Sequence, residues 1–226
     1  MDSVPRRSRA RRLGLILALV LSAPPTGVAD AAATTASVED VMRLLADSGS
    51  VRASFHERKY VHLLTDPIET RGKLFFQPPD RMARHVETPA PVWMAIRDEE
   101  VALRDGRGEQ RFDLGQSDVG RSLVDGLAVV LRGDLALLTA RYEIAFEAGD
   151  AGWQIVLTPR SRALRVLIAS MIIDGVGSEI RRIEVREEGG DSTVTEFSDI
   201  EAGLRFTPEE TDEIFLLTRP SPQPHD

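Results

Sequence analysis

The 226-residue sequence contains no cysteine. That excludes disulfides, a thiol nucleophile and a thiol for lipid attachment. It also lacks an apolar run of ~20 residues, the length that a membrane-spanning helix needs. There is no Gly-x-Ser-x-Gly elbow, no His-Glu-x-x-His, no phosphate loop and no Gly-x-Gly-x-x-Gly. No catalytic residue is assigned on this basis, and an enzyme is not expected. The four histidines are His56, His62, His85 and His225. His56 and His62 lie six apart, so they could share a strand face, but no third ligand accompanies them. Neither a metal nor a cofactor is expected.

What is present begins with an address. Arg6, Arg7, Arg9, Arg11 and Arg12 precede the short apolar run Leu13–Leu21. Small residues follow at Gly27-Val28-Ala29 and Ala29-Asp30-Ala31. This is the pattern of a secretory signal peptide over residues 1–29. Secretion without disulfides suits a bacterial periplasm, where a chain of this size buries a sufficient core unaided. Residues 1–29 hold five arginines and one aspartate, so their removal takes the net charge from −8 to −12. A chain this acidic is not expected to bind nucleic acid. It is repelled from anionic membrane surfaces, which favours weak, reversible docking without stable insertion. Residues 30–36 read as a mobile low-complexity leader, 37–217 as a single domain and 218–226 as a loose proline-rich tail. A monomer is expected.

Ser37 suits a helix cap, with Asp40 three residues on and an apolar stripe at Val38, Val41, Met42 and Leu45. Asp47-Ser48-Gly49 ends that helix. From Val51 to Leu114 the apolar positions alternate as in strands. The central feature is Gly72–Arg84. Ile68, Thr70, Gly72, Leu74 and Phe76 share one face, and Glu69, Arg71 and Lys73 the other. Pro78 and Pro79 force a corner, after which Met82, Arg84 and Val86 resume on one side. Strands are expected at Val92–Arg97, Val101–Arg104 and Glu109–Asp113, the last two joined by a hairpin at Asp105–Gly108.

The period then becomes helical, at Val119, Leu123, Leu127, Val130 and Leu131, with a break at Gly133-Asp134 and a second short helix at Leu135 and Leu138. Strands return at Tyr142–Phe146 and Trp153–Leu157. Leu164–Ile173 is apolar on both faces and reads as a central strand covered on both sides. Glu179–Arg186 and Ser192–Asp199 are further strands, with Ile183 and Val185 inward. Thr207-Pro208-Glu209-Glu210 is a capping box.

The whole is expected to be an α+β chain: a curved, mostly antiparallel sheet whose dry face needs covering. Phe55, Leu74, Phe76, Met82, Val86, Met94, Ile96, Ile144, Phe146 and Ile168 are candidates for one concave apolar face. Such stripes ordinarily make a closed core. Two features point instead to a cavity. Strand length far exceeds the helix available to cover it. Arg84 shares the face of Met82 and Val86, where a charge suits a cavity mouth and could meet a polar head group.

In order and spacing these elements resemble the LolA-type periplasmic lipoprotein carriers. The matching pieces are the first helix, Val51-x-Ala53-x-Phe55, the Gly72–Met82 corner, the Trp153–Pro159 strand and the Ile180–Phe197 hairpin ending in Thr193-x-Thr195-x-Phe197. The resemblance implies a half-open β-barrel with helices over its mouth as a lid. Val119–Leu138 would then be lid, contributing Val119, Leu123, Leu127, Val130, Leu131, Leu135 and Leu138. It also implies a cavity that shields acyl chains, an inner-membrane transporter that supplies the cargo and an outer-membrane acceptor that takes it. The chain departs from the family pattern at Pro78, where classical members have arginine. It departs again at Asp98-Glu99, and at Val101–Arg104, which has no aromatic. The cargo therefore stays open between a lipoprotein and a free or esterified acyl lipid. Two other readings stay open: a lipid-sensing regulator on the same fold, and a lipid-acting hydrolase or acyltransferase.

Overall fold

The computed structural model describes residues 37–97, 100–113 and 128–215. All of them lie in one compact unit, Ala32–Asp226. Helix α1 (Val38–Asp47) starts where the sequence places it: the Ser37 hydroxyl accepts from the Asp40 amide at 3.2 Å. Its stripe of Val41, Met42 and Leu45 is buried.

The rest is dominated by strands, because their apolar residues recur every second position. They are β1 (Ser50–Tyr60), β2 (Ile68–Gln77), β3 (Arg81–Thr88), β4 (Val92–Arg97), β5 (Glu100–Asp105) and β6 (Gly108–Asp113). After the helical residues 128–131 and helix α2 (Leu135–Arg141) come β7 (Tyr142–Gly149) and β8 (Gly152–Pro159). A short helix α3 (Arg162–Arg165) leads to β9 (Ile168–Val176), β10 (Glu179–Glu187) and β11 (Ser192–Leu204). Helix α4 (Pro208–Phe215) follows, closed by the expected box: Thr207 N donates to Glu210 at 2.8 Å, and Glu210 N to Thr207 Oγ1 at 3.2 Å.

The strands form one sheet in the order β6-β5-β4-β3-β2-β1-β11-β10-β9-β8-β7, every neighbouring pair antiparallel. Among the described residues β6 and β7 are free edges, so the sheet does not close. With its N-terminal helix and few covering helices it is the half-open architecture expected. The crossing from the first six strands to the last five is made by β1 pairing with β11, and β1 is the middle strand.

Two expectations are corrected. Leu164–Ile173 is not one strand. Residues 162–165 are helical, and the ladder with β10 begins only at Ile168, opposite Glu187. Beyond Glu187 the neighbouring chain turns, so Val166 and Leu167 have no strand to pair with. His56 and His62 do not share a strand face, because β1 ends at Tyr60. His56 instead lies 3.0 Å from Glu69.

The face of β2 carrying Lys73 is not wet throughout. Phe75 on that face is 7 % exposed. Ala83, Ala95 and Ala102 stand beside it on successive strands, and their small side chains leave a shallow seat. Phe215 and Ile214 of α4 fill the seat together with Phe206. A second, smaller core thus lies on the outer face of the sheet.

Candidate functional site

Cross-strand partners in a sheet stand on the same face, so the register alone traces the inner face. Leu103 pairs with Met94, Met94 with Arg84 and Arg84 with Leu74. One row along, Val101, Ile96, Met82 and Phe76 are paired in series. Phe55 lies between Gly72 and Phe197. On the other half Ile183, Ile173, Ile155 and Phe146 are paired in series, as are Met171, Leu157 and Ile144. One face therefore runs apolar across the sheet.

Of the predicted lining residues, Leu74, Phe76, Met82, Met94, Ile96, Ile144, Phe146 and Ile168 come together in a single cluster. Ile168 joins it through a register irregularity near Glu187, which also separates it from Ile172. Met171 and Ile173, which alternation assigned to the opposite face, belong here. Ile183 and Val185, read as inward, are here too; Ile155 and Leu157 belong as well, and their strand parity was the signal that could have found them. Phe55, Arg84 and Val86 lie outside this cluster, toward the Tyr60 end of β1.

The covering residues of the same cluster come from two places. One is α1. The other is the segment 128–138, where Val130, Leu131 and Leu138 are buried and Leu135 is half-buried. Val119, Leu123 and Leu127 lie outside the described residues. The two covers touch closely at Gly133, which has φ +66°; a Cβ there would lie 2.1 Å from the Met42 carbonyl oxygen. Asp134 caps α2 through the Leu137 amide at 2.9 Å.

Between α1 and the sheet remains an apolar cavity of about 30 Å³, bordered by Leu45, Val51, Leu74, Leu131, Ile183 and Phe197. It has room for about one water molecule. It is an order of magnitude below the roughly 300–1,000 Å³ of ordinary ligand pockets. At this point α1 and Leu131 pack closely against the sheet.

Toward the other end the face turns polar. Glu57 accepts from Arg84 Nη2 at 2.8 Å, from Thr70 at 3.3 Å and from Thr195 at 3.0 Å. The Arg84 guanidinium also stands 4.3 Å from the centroid of the Phe55 ring. A half-buried charge is tolerated here because it is paired, hydrogen-bonded and laid on an aromatic face.

On the outer face His85 packs 5.0 Å from the Phe75 ring, and its Nε2 approaches the Ile214 carbonyl oxygen at 3.4 Å. Burial holds this imidazole below its ordinary value. The carbonyl contact opposes the shift, Arg104 adds to it, and Glu213 and Glu87 oppose it. Among the described residues no group of three or more His, Asp or Glu could hold a metal ion, and no helix is long and apolar enough to cross a membrane.

A comparison with curated proteins finds no match. Solved structures do match. A LolA superfamily protein from Nitrosomonas europaea is 13% identical, with 77% of this chain and 96% of that chain covered and a TM-score of 0.43. A putative outer membrane lipoprotein-sorting protein domain from Vibrio parahaemolyticus is 8% identical, covers 78% and 98%, and has a TM-score of 0.44. LprF from Mycobacterium bovis is 10% identical, covers 75% and 94%, and has a TM-score of 0.36. The family model described as outer membrane lipoprotein carrier protein LolA-like matches residues 30–202, well over half of the chain. With that match joined to the open antiparallel sheet and its helix-covered apolar face, the chain belongs to the LolA-like family of outer membrane lipoprotein carrier proteins.

Proposed function

We propose that this protein is a periplasmic carrier that shields the acyl chains of a lipoprotein, or of another acyl lipid, during transfer from the inner to the outer membrane. The signal-peptide pattern of residues 1–29 supports the compartment, and family membership supports the cargo class. The observation that carries the reading is the continuous apolar inner face. It crosses an unclosed sheet and is covered by α1 and the segment 128–138 rather than by a second sheet.

Since the cavity between α1 and the sheet is only about 30 Å³, cargo must displace cover there. The magnitudes permit this. An acyl chain gains ~0.8 kcal/mol per buried CH₂, so one long chain is worth on the order of 10 kcal/mol. A cover burying about five Leu and Val side chains at roughly 1.5–3 kcal/mol each is worth a similar amount. Chain and cover then compete nearly evenly, and loading and release need no chemistry. The Arg84–Glu57 pair, at the polar end of the face, would meet a head group. An inner-membrane transporter and an outer-membrane acceptor are the partners this role requires.

The test is native mass spectrometry of protein purified from a periplasm without detergent, followed by solvent extraction. The expected result is an adduct that extracts as lipid: acyl-peptide for a lipoprotein, plain acyl lipid otherwise. A clean apo mass, with no uptake of a fluorescent fatty acid, would show that the face is sealed core.

A further inference from the structure

Eight large apolar side chains are exposed among the described residues, and six of them gather at one end of the sheet. Tyr60, Leu63, Leu64 and Ile68 flank or form the β1–β2 turn, and Val166 and Leu167 lie in the α3–β9 turn. Leu63 is 89 % exposed and Val166 66 %. The β10–β11 turn ties the two together. Asp191 accepts from the His62 amide at 2.9 Å, and the Glu188 amide donates to the Leu167 carbonyl at 3.1 Å. Lys59 reaches Glu187 at 2.9 Å, and Tyr60 pairs with Ser192. The three turns form one rim, at the end of β1 away from α1.

Single exposed apolar residues need no explanation, but a gathered set does. Folding gains nothing from placing Leu63 and Leu64 in water.

Segments 59–68, 160–167 and 187–192 carry Lys59, Arg160, Arg162 and Arg165 against Asp66, Glu187, Glu188 and Asp191, with Glu143 paired to Arg160, a net charge of −1. The rim is thus close to neutral and adds little repulsion from an anionic surface. Its apolar side chains come from separate turns. A protein partner would need a packed, complementary patch of about 800 Å². A fluid interface accepts separate tips, and leaves the turn backbones among hydrated head groups.

We propose that this rim is a reversible contact for a lipid bilayer surface, in which Leu63 and Leu64 enter the acyl boundary. The inference goes beyond the carrier reading and does not depend on what the inner face holds.

The test is flotation with vesicles of phosphatidylethanolamine and phosphatidylglycerol, three to one. The protein is recovered from a periplasm in its naturally processed form, so that wild type and variants share one N-terminus. The wild type should float. The L63D/L64D variant should lose about tenfold or more in partitioning, as expected on withdrawing two leucines from an apolar phase. Val176→Asp, exposed at the opposite end, should change it less than about twofold, since it removes no apolar group from the rim. The melting temperature and fluorescent fatty-acid uptake of L63D/L64D should match the wild type, which separates the rim from the fold and from the inner face. Raising salt from about 0.05 to about 0.5 M should not weaken binding, because no basic patch drives it. Failure of the wild type to float, equal losses in both variants, parallel loss of fatty-acid uptake or a steep fall with salt would each overturn the proposal.

Discussion

Arg84 and Glu57 meet across 2.8 Å on the inner face of the sheet, from strands β3 and β1, with β2 between them. Thr70 on the intervening strand and Thr195 on β11 complete the set around the carboxylate. The pair is about three-quarters or more buried. Its members are therefore coupled: each is tolerable only because the other is there.

Removing one partner should cost more than removing both. Glu57→Gln is expected to destabilise by about 1–3 kcal/mol, because the guanidinium loses its counter-charge at a half-buried site. Combining Glu57→Leu with Arg84→Leu should cost less than either single change, since no uncompensated charge remains. Urea denaturation of the four members of the cycle measures this. Additive losses would show that the pair is screened by water.

Leu131 separates cover from core. Leu131→Ala should cost about 2–4 kcal/mol if the site is rigid, as for other buried leucines. If the segment 128–138 is a displaceable cover, the same change should cost less and increase fluorescent fatty-acid uptake. Urea midpoints and fatty-acid titrations on one preparation distinguish the two. Loss of stability with no change in uptake would argue against a cover role for Leu131.

His85 predicts a direction with pH. Burial lowers its folded value below the imidazole's ordinary 6.5, despite Glu213 and Glu87 nearby. Above 6.5 the ring is neutral in both states and contributes no pH dependence. As pH falls below 6.5 the unfolded chain takes the proton first, so stability falls until the lower folded value is passed. The docking of α4 over Phe75 should weaken in that window. The wild-type urea midpoint should therefore drop between about pH 7.5 and pH 5 by more than that of His85→Gln, which cannot titrate. Parallel drops would place the pH response elsewhere.

Gly72 has no room for a side chain. A Cβ there would lie 1.9 Å from the His85 carbonyl oxygen, where the β2–β3 register shifts. Gly72→Ala should cost about 1–3 kcal/mol through the backbone displacement it forces. By contrast Gly106→Ala, in the open β5–β6 turn with nothing nearby, should be within about 0.5 kcal/mol of wild type. Thermal melting compares them directly.

Much of this molecule was legible in its sequence, because local rules and tertiary context agree over most of its length. Ser37 and Thr207 cap the helices that they announce. Alternation located most of the strands, and the proline pair at Pro78-Pro79 ended β2 as its chemistry requires. The parity that put Arg84 with Met82 on the inner face held, because the corner contains no register slip. Alternation misled where its partner strand stopped. Leu164, Val166 and Leu167 continue the apolar pattern of β9, but β10 offers no ladder beyond Glu187.

The sequence by itself determined the strand periods, the caps, the corner and part of the apolar face, since each depends on neighbours a few residues apart. The tertiary structure decided which strands meet, and with them everything that joins distant segments. The pairing of β1 with β11 brings Glu57 to Thr195. The packing of α4 dries Phe75 and shifts His85. The packing of α1 and Leu131 on the sheet leaves a cavity of about 30 Å³ between them. Three turns far apart in the chain make one apolar rim. None of these has a local signal, because hydrophobic burial is non-directional and only the assembled sheet fixes what each side chain meets.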